Sequence, residues 1–107
     1  WLPVCVYPRM DFLVLALNQL VNHLDKIEEM SAGRFCPKVI IRAGLGNTFP
    51  LNPGPQHYQD HTDALMHMLT NVDVVRLGDA EAVLPAYRQA MESPRSTVLL
   101  EFLAKLR

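Results

Sequence analysis

Cysteine is scarce in this 107-residue chain: Cys5 and Cys36 are the only two. Two cysteines make no disulfide framework, so a reducing, cytoplasmic setting is the expectation. No sign of charge dominates either, with 10 Lys and Arg against 11 Asp and Glu and a net charge of −1. That argues against nucleic acid or an anionic membrane as partner, because both need a basic surface. No apolar run reaches the ~18–20 residues of a membrane span. No signal peptide is expected ahead of the first strand. Charged residues make up only 20% of the chain while half of it is hydrophobic, so some surface is expected to be covered by another chain. The chain opens on Trp1 rather than Met, which suggests a trimmed, processed or partial protein. The length suits one domain or a piece of one.

What is present alternates between two periods. Pro3 to Tyr7 (PVCVY) is a β-branched and aromatic run that reads as a buried strand, with Cys5 as an interior residue. From Asp11 the period lengthens. Leu13, Ala16, Leu17, Leu20, Leu24 and Ile27 recur at three- and four-residue steps, predicting a helix of about 20 residues. Asn18, Gln19, Asn22, Asp25, Lys26, Glu28 and Glu29 fall on its polar face, and His23 is expected to meet water or a polar interface. Its first half, FLVLAL, is apolar almost all round, which a helix tolerates when covered on several sides. Gly33 is placed for a left-handed stop.

Lys38 to Arg42 (KVIIR) reads as a second, buried strand, and Cys36 before it as a small buried side chain. Residues 43–58 carry three glycines and three prolines, which predicts a long functional loop without helix or strand. Asp60 to Leu69 returns to helix, and Asp73 to Leu77 is a third strand. Asp79 is a natural N-cap for a helix through Met91, with a kink or 3₁₀ start expected at Pro85. Thr97 to Leu100 is the last strand, followed by a short tail from Glu101 to Arg107. The β-α-β-α-β-α-β order predicts an α/β fold: a mostly parallel open sheet with helices on both faces.

Ligands of such sheets sit beyond the carboxyl ends of the strands, which here means Pro8 to Asp11 and the 43–58 loop. Gly44-Leu45-Gly46 invites a dinucleotide reading, but the third glycine is missing and Pro50 follows instead of a helix. His57 and His61 have the spacing of metal ligands on one helix face. They lack the glutamate of H-E-x-x-H, so solvent-facing or hydrogen-bonding histidines, with no metal, are the expectation. Phe12 stands at the mouth of the first strand, suited equally to core packing and to stacking on a ligand. No G-x-S-x-G and no convincing nucleophile occurs.

The order of segments resembles a known family. PVCVYPRMDF, NQLVNHLDKIEEMSAG, KVIIRAGLGN, GPQHYQDHTDALMHML and VDVVRLGDAEAVLPAYRQAM with TVLLEF follow one another. Together they resemble the pyrimidine-binding domain of transketolase-like thiamine-diphosphate enzymes, nearest to the beta subunit of pyruvate and branched-chain 2-oxoacid dehydrogenases. Most telling are Asp11-Phe12, the helix from Gln19 through Asn22, Lys26, Met30 and Ser31 to Gly33, and Gln56-His57-x-Gln59. The resemblance implies that Phe12 stacks on the cofactor's aminopyrimidine ring and that His57 serves in acid/base chemistry or in stabilising an intermediate. An aromatic face suits a flat ring, and an imidazole titrates near neutrality.

The same resemblance implies what the chain lacks. The family's cofactor-activating glutamate falls before Trp1, as do the domain's opening strand and helix. The diphosphate and its Mg²⁺ belong to another domain on a partner chain. Ala32 stands where a second glycine is usual. The expectation is one partial domain over 1–107, part of a 2-oxoacid dehydrogenase beta-type subunit, not catalytic alone. It would use thiamine diphosphate and Mg²⁺ only with an alpha-type partner subunit; for the chain in isolation, no cofactor is the alternative expectation. The other expectation is a non-catalytic interaction or structural module that keeps the fold and mediates homo- or hetero-oligomerisation.

Overall fold

The structure, a computed structural model, describes residues 1–46 and 48–106. Asn47, within the loop expected over 43–58, and Arg107, at the end of the expected tail, lie outside the described residues. Strands β1 (Val4–Tyr7), β2 (Ile40–Leu45), β3 (Asp73–Leu77) and β4 (Thr97–Phe102) form one parallel sheet in the order β1-β2-β4-β3. Two connections, β1 to β2 and β2 to β3, cross the sheet in one direction, and β3 to β4 steps back. With crossovers of a single hand, that reversal puts the last helix on the opposite face. Helical residues 10–30 and helix α3 (Thr62–Met68) accordingly share a core with Ile41, Ala43, Leu45, Val98 and Leu100. Helix α4 (Ala80–Glu92) covers Ile40, Leu77 and Leu99 on the other side. The parallel α/β class read from the sequence is the class observed.

Several local expectations are corrected. The first strand is not buried: α4 packs on β3 and β4, and Val4 and Val6 of β1 are 52% and 56% exposed. Cys5 and Cys36 are exposed free thiols rather than buried ones. Strand β2 starts two residues late and runs on through Ala43, Gly44 and Leu45, which pair with Leu100, Glu101 and Phe102 of a correspondingly longer β4. Burial of Ala43 and Leu45 outweighs the breakers that follow them. Gly44 is required there: a Cβ would stand 2.6 Å from the Pro8 carbonyl oxygen and 2.8 Å from Leu103 Cδ1. Asp79 does cap α4, accepting from the Glu81 N–H at 3.0 Å, but the helix runs through Pro85 with no 3₁₀ start.

The long helix is helical over most of its expected span, yet it changes gauge. An α turn, α1 (Met10–Leu13), passes into 3₁₀ at Val14–Ala16, π at Asn18–Leu24 and α again at α2 (Ile27–Met30). A π turn bonds i to i+5, which brings residues five apart onto one face. Leu20 and Asp25 are both buried, and the Asp25 N–H donates to the Leu20 carbonyl at 3.0 Å. The three- and four-residue period had put Asp25 on the polar face.

Only 1% exposed, Asp25 binds the loop between α3 and β3. Its Oδ1 accepts from the N–H groups of Asn71, Val72 and Thr70 at 2.7, 2.9 and 3.0 Å. Oδ2 accepts from the Thr70 hydroxyl at 3.0 Å and meets Lys26 Nζ at 2.8 Å. Burial alone would raise the carboxyl pKa. The Lys26 ammonium and the three N–H donors outweigh it and hold the group at about 2, below its ordinary 3.8.

The helix ends in a Schellman motif, with Gly33 N–H on the Glu28 carbonyl (2.8 Å) and Ala32 N–H on that of Glu29 (3.1 Å). Its left-handed stop begins one residue before the expected Gly33. Ala32 has φ +52° and Gly33 φ +76°.

Three stability measurements follow. Asp25→Ala leaves three backbone donors and Lys26 unanswered, and urea unfolding should show a loss of about 3 kcal/mol. Because the folded pKa is depressed, the stabilisation of the native Asp25 is fully present above about pH 4 and lost as pH falls through about 2. The amount is ~2 kcal/mol, and an Asp25→Asn chain should lack that slope. Ala32→Gly relieves a left-handed alanine and should raise stability by about 1 kcal/mol.

Candidate functional site

The carboxyl end of β1 turns at Pro8 and Arg9 into α1. Arg9 is extended (φ −141°, ψ 147°), Met10 plugs the core, and Asp11 occupies the first turn. Phe12 follows with 39% of its surface open. Facing this corner is the end of the long loop. Gly54 (φ +85°) starts a 3₁₀ turn, Pro55–His57, closed by the His57 N–H on the Gly54 carbonyl at 3.1 Å. The two segments meet through side chains. The rings of Phe12 and His57 lie edge to face, 5.5 Å between centroids and 68° between planes. That arrangement is worth ~0.5–1.5 kcal/mol beyond the buried area.

Hydrogen bonds flank the ring pair. Arg9 Nη1 donates to the His57 carbonyl at 2.6 Å, and Asp11 Oδ1 accepts from Gln59 Nε2 at 3.0 Å and from its N–H at 3.4 Å. The Tyr58 carbonyl oxygen lies 3.3 Å from where a Cβ on Gly46 would be. Gly44 and Gly46 thus let two segments close over the end of β2. The pair Gly44-Leu45 lies within that strand, so no strand-to-helix phosphate turn exists there and the dinucleotide reading falls.

His57 and His61 do not share a helix face. His61 precedes α3 and helps line an apolar pocket of about 160 Å³ with Met10, Leu13, Val14, Leu17 and Leu65. Among the described residues no three His, Cys, Asp or Glu side chains converge on a metal position. His23 stands exposed beside Asn18 (3.5 Å), as the sequence suggested.

One polar cluster on the α4 face escaped sequence reasoning, since Glu101 reads as the start of a tail. Arg42 Nη2 and Nε bind Glu101 Oε2 at 2.5 and 2.9 Å, and the Tyr87 hydroxyl donates to Oε1 at 2.8 Å. Burial opposes the Glu101 charge, but Arg42 and Tyr87 hold its pKa below the ordinary value. Burial and Glu101 push Tyr87 up to about 12, so it remains a donor at neutral pH. Every acceptor in the cluster is answered, which points to an internal brace. A partial signal was available: Asp11, Gln59 and Phe12 stood in the motifs quoted above, but their mutual contact was not.

The parallel sheet with a β1 corner facing the loop beyond β2 defines the class: an open α/β domain with its candidate site at the carboxyl ends of strands. No protein-family model matches the chain. It is similar to the mitochondrial pyruvate dehydrogenase E1 component subunit beta of Ascaris suum, with 29% identity over 99 residues. The match covers 92% of this chain and 27% of that protein. Nearly the whole chain is therefore close to a 2-oxoacid dehydrogenase beta subunit, while spanning about a quarter of its length.

His57 is half-buried on a loop whose neighbours Gln56 and Tyr58 are exposed, so His57→Ala should cost no more than about 1.5 kcal/mol in urea unfolding. A loss beyond 3 kcal/mol would make it a core residue.

Proposed function

We propose that this chain is the pyrimidine-binding part of a thiamine-diphosphate-dependent 2-oxoacid dehydrogenase beta-type subunit, inactive alone. The observation that supports it is the contact of Phe12 with His57, two residues far apart in sequence brought together where a parallel sheet presents its ligands. A partly open phenyl face with an imidazole at its side fits a flat heteroaromatic ring. Phe12 would stack on that ring, and His57 would donate or accept a proton. Thiamine diphosphate, when bound, supplies the electron sink for 2-oxoacid decarboxylation. The diphosphate and its Mg²⁺ would be held by an alpha-type partner subunit. The domain unit is the whole of 1–107, as one partial domain. Free Cys5 and Cys36 fit a reducing compartment such as the cytoplasm. The relative's own name is mitochondrial. No described helix is long and apolar enough to cross a membrane.

A second reading is a non-catalytic oligomerisation module, and a specific surface favours it. Leu15 is 84% exposed, and Val14, Met66 and Met68 are open beside the apolar pocket of α1 and α3. Covering that surface with a second copy or a partner subunit would remove a patch that single-chain proteins rarely leave open.

Calorimetric titration of thiamine diphosphate with Mg²⁺ separates the two. The chain alone should show no 2-oxoacid turnover and no strong binding. Mixed with an alpha-type 2-oxoacid dehydrogenase subunit it should bind the cofactor, and Phe12→Ala should weaken that binding about tenfold. Turnover by the chain alone would overturn the inactivity. No binding by the mixture would leave the module reading.

A further inference from the structure

The loop that carries His57 has little core of its own. Pro55, Gln56, Tyr58 and Gln59 are exposed, and the segment pairs with no strand of the sheet. An exposed loop of this kind opens at low free energy unless something fastens it. The fastening visible here comes from two charged residues that flank the Phe12 corner. Arg9 reaches the backbone carbonyl of His57 itself, and the Asp11 carboxylate takes both the backbone and the side-chain N–H of Gln59. The His61 N–H adds a contact to Met10 Sδ at 3.2 Å. Alternate residues of the β1 corner thus grip alternate residues of the loop, 9 to 57 and 11 to 59. The backbone of His57 is thus held at its own carbonyl and again two residues on, with its ring against Phe12.

We propose that Arg9 and Asp11 are positioning residues that latch the 54–59 loop to the β1 corner and hold the His57 ring against Phe12 before any ligand arrives. The proposal rests on the reading of Phe12 and His57 as the two working residues, and it assigns the geometry of that pair to side chains that bind the His57 carbonyl and Gln59. A group held in place in advance loses less freedom when it acts. Charge-assisted hydrogen bonds suit the task because they are stronger and more directional than the loop's own turn bond.

The test is ¹H–¹³C NMR of the full chain, reading the shift that the Phe12 ring current imposes on the His57 imidazole C–H protons. Phe12→Ala defines the whole effect. Asp11→Ala should remove more than half of it, and Asp11→Asn, which keeps an oxygen at Oδ1, should restore most of it. Gln59→Ala removes the same bonds' side-chain arm from the other side and guards against a misfolded Asp11 variant. Leu99 and Val98 methyl signals report that the sheet is intact in every variant. A ring-current shift that survives both Asp11→Ala and Gln59→Ala overturns the latch, as does failure of Asp11→Asn to restore it. The parent reading fails by a different sign: thiamine diphosphate with the alpha-type subunit would leave the His57 and Phe12 signals of the unsubstituted chain unmoved.

Discussion

Asp25 is the interaction on which the rest of this fold depends. A carboxylate so deeply buried is unfavourable by several kcal/mol unless its oxygens are answered. Here the N–H groups of Thr70, Asn71 and Val72, the Thr70 hydroxyl and Lys26 answer them. All of these donors but Lys26 belong to the stretch that ends α3 and delivers the chain into β3. Arg95 holds the same stretch from outside, donating to the Thr70 and Asn71 carbonyls at 2.6 and 2.9 Å and meeting Asp73 at 3.2 Å. One side chain on the long helix therefore sets where β3 begins and locks helix to sheet. The π gauge of residues 18–24 makes this possible, because it turns Asp25 inward beside Leu20.

From that anchor the asymmetry of the molecule follows. The face bearing the 10–30 helical run and α3 has a continuous core, whereas the opposite face has α4 alone. β1 is left as a thinly covered edge, and the apolar start of the long helix leaves Leu15 in solvent. Half the chain is hydrophobic, and not all of it finds a place inside. Single-chain proteins rarely leave apolar surfaces of this kind open. The candidate site presents two rings, those of Phe12 and His57, at the carboxyl ends of the strands.

Much of the architecture was legible in the sequence because it follows from periodicity. Strand runs near 4–7, 40–42, 73–77 and 97–100, separated by helical stretches, lead to a parallel open sheet with few alternatives. The misreadings have physical causes. Burial of β1 and of Cys5 was inferred from composition, but burial depends on which helix lies over which strand. Ala43 to Leu45 resembled loop because glycine signals flexibility in sequence, whereas Gly44 is there for the close approach of the Pro8 carbonyl. Glu101 looked like tail, although its charge is held inside by Arg42 and Tyr87 from elements far away in sequence.

For the site, the residue types and their loops were legible: an aromatic at the mouth of β1 and a histidine in a breaker-rich loop beyond β2. Their meeting was not, since nothing local relates Phe12 to His57 or Asp11 to Gln59. By itself the sequence determined the class of fold, the alternation of its elements and the two loops that carry the candidate site residues, because these are properties of local period and turn chemistry. Only the tertiary structure decided which polar residues are buried, which strand is left at the edge, and that Arg9 and Asp11 grip the His57 loop. Those depend on contacts between distant segments, which come into being when the sheet assembles.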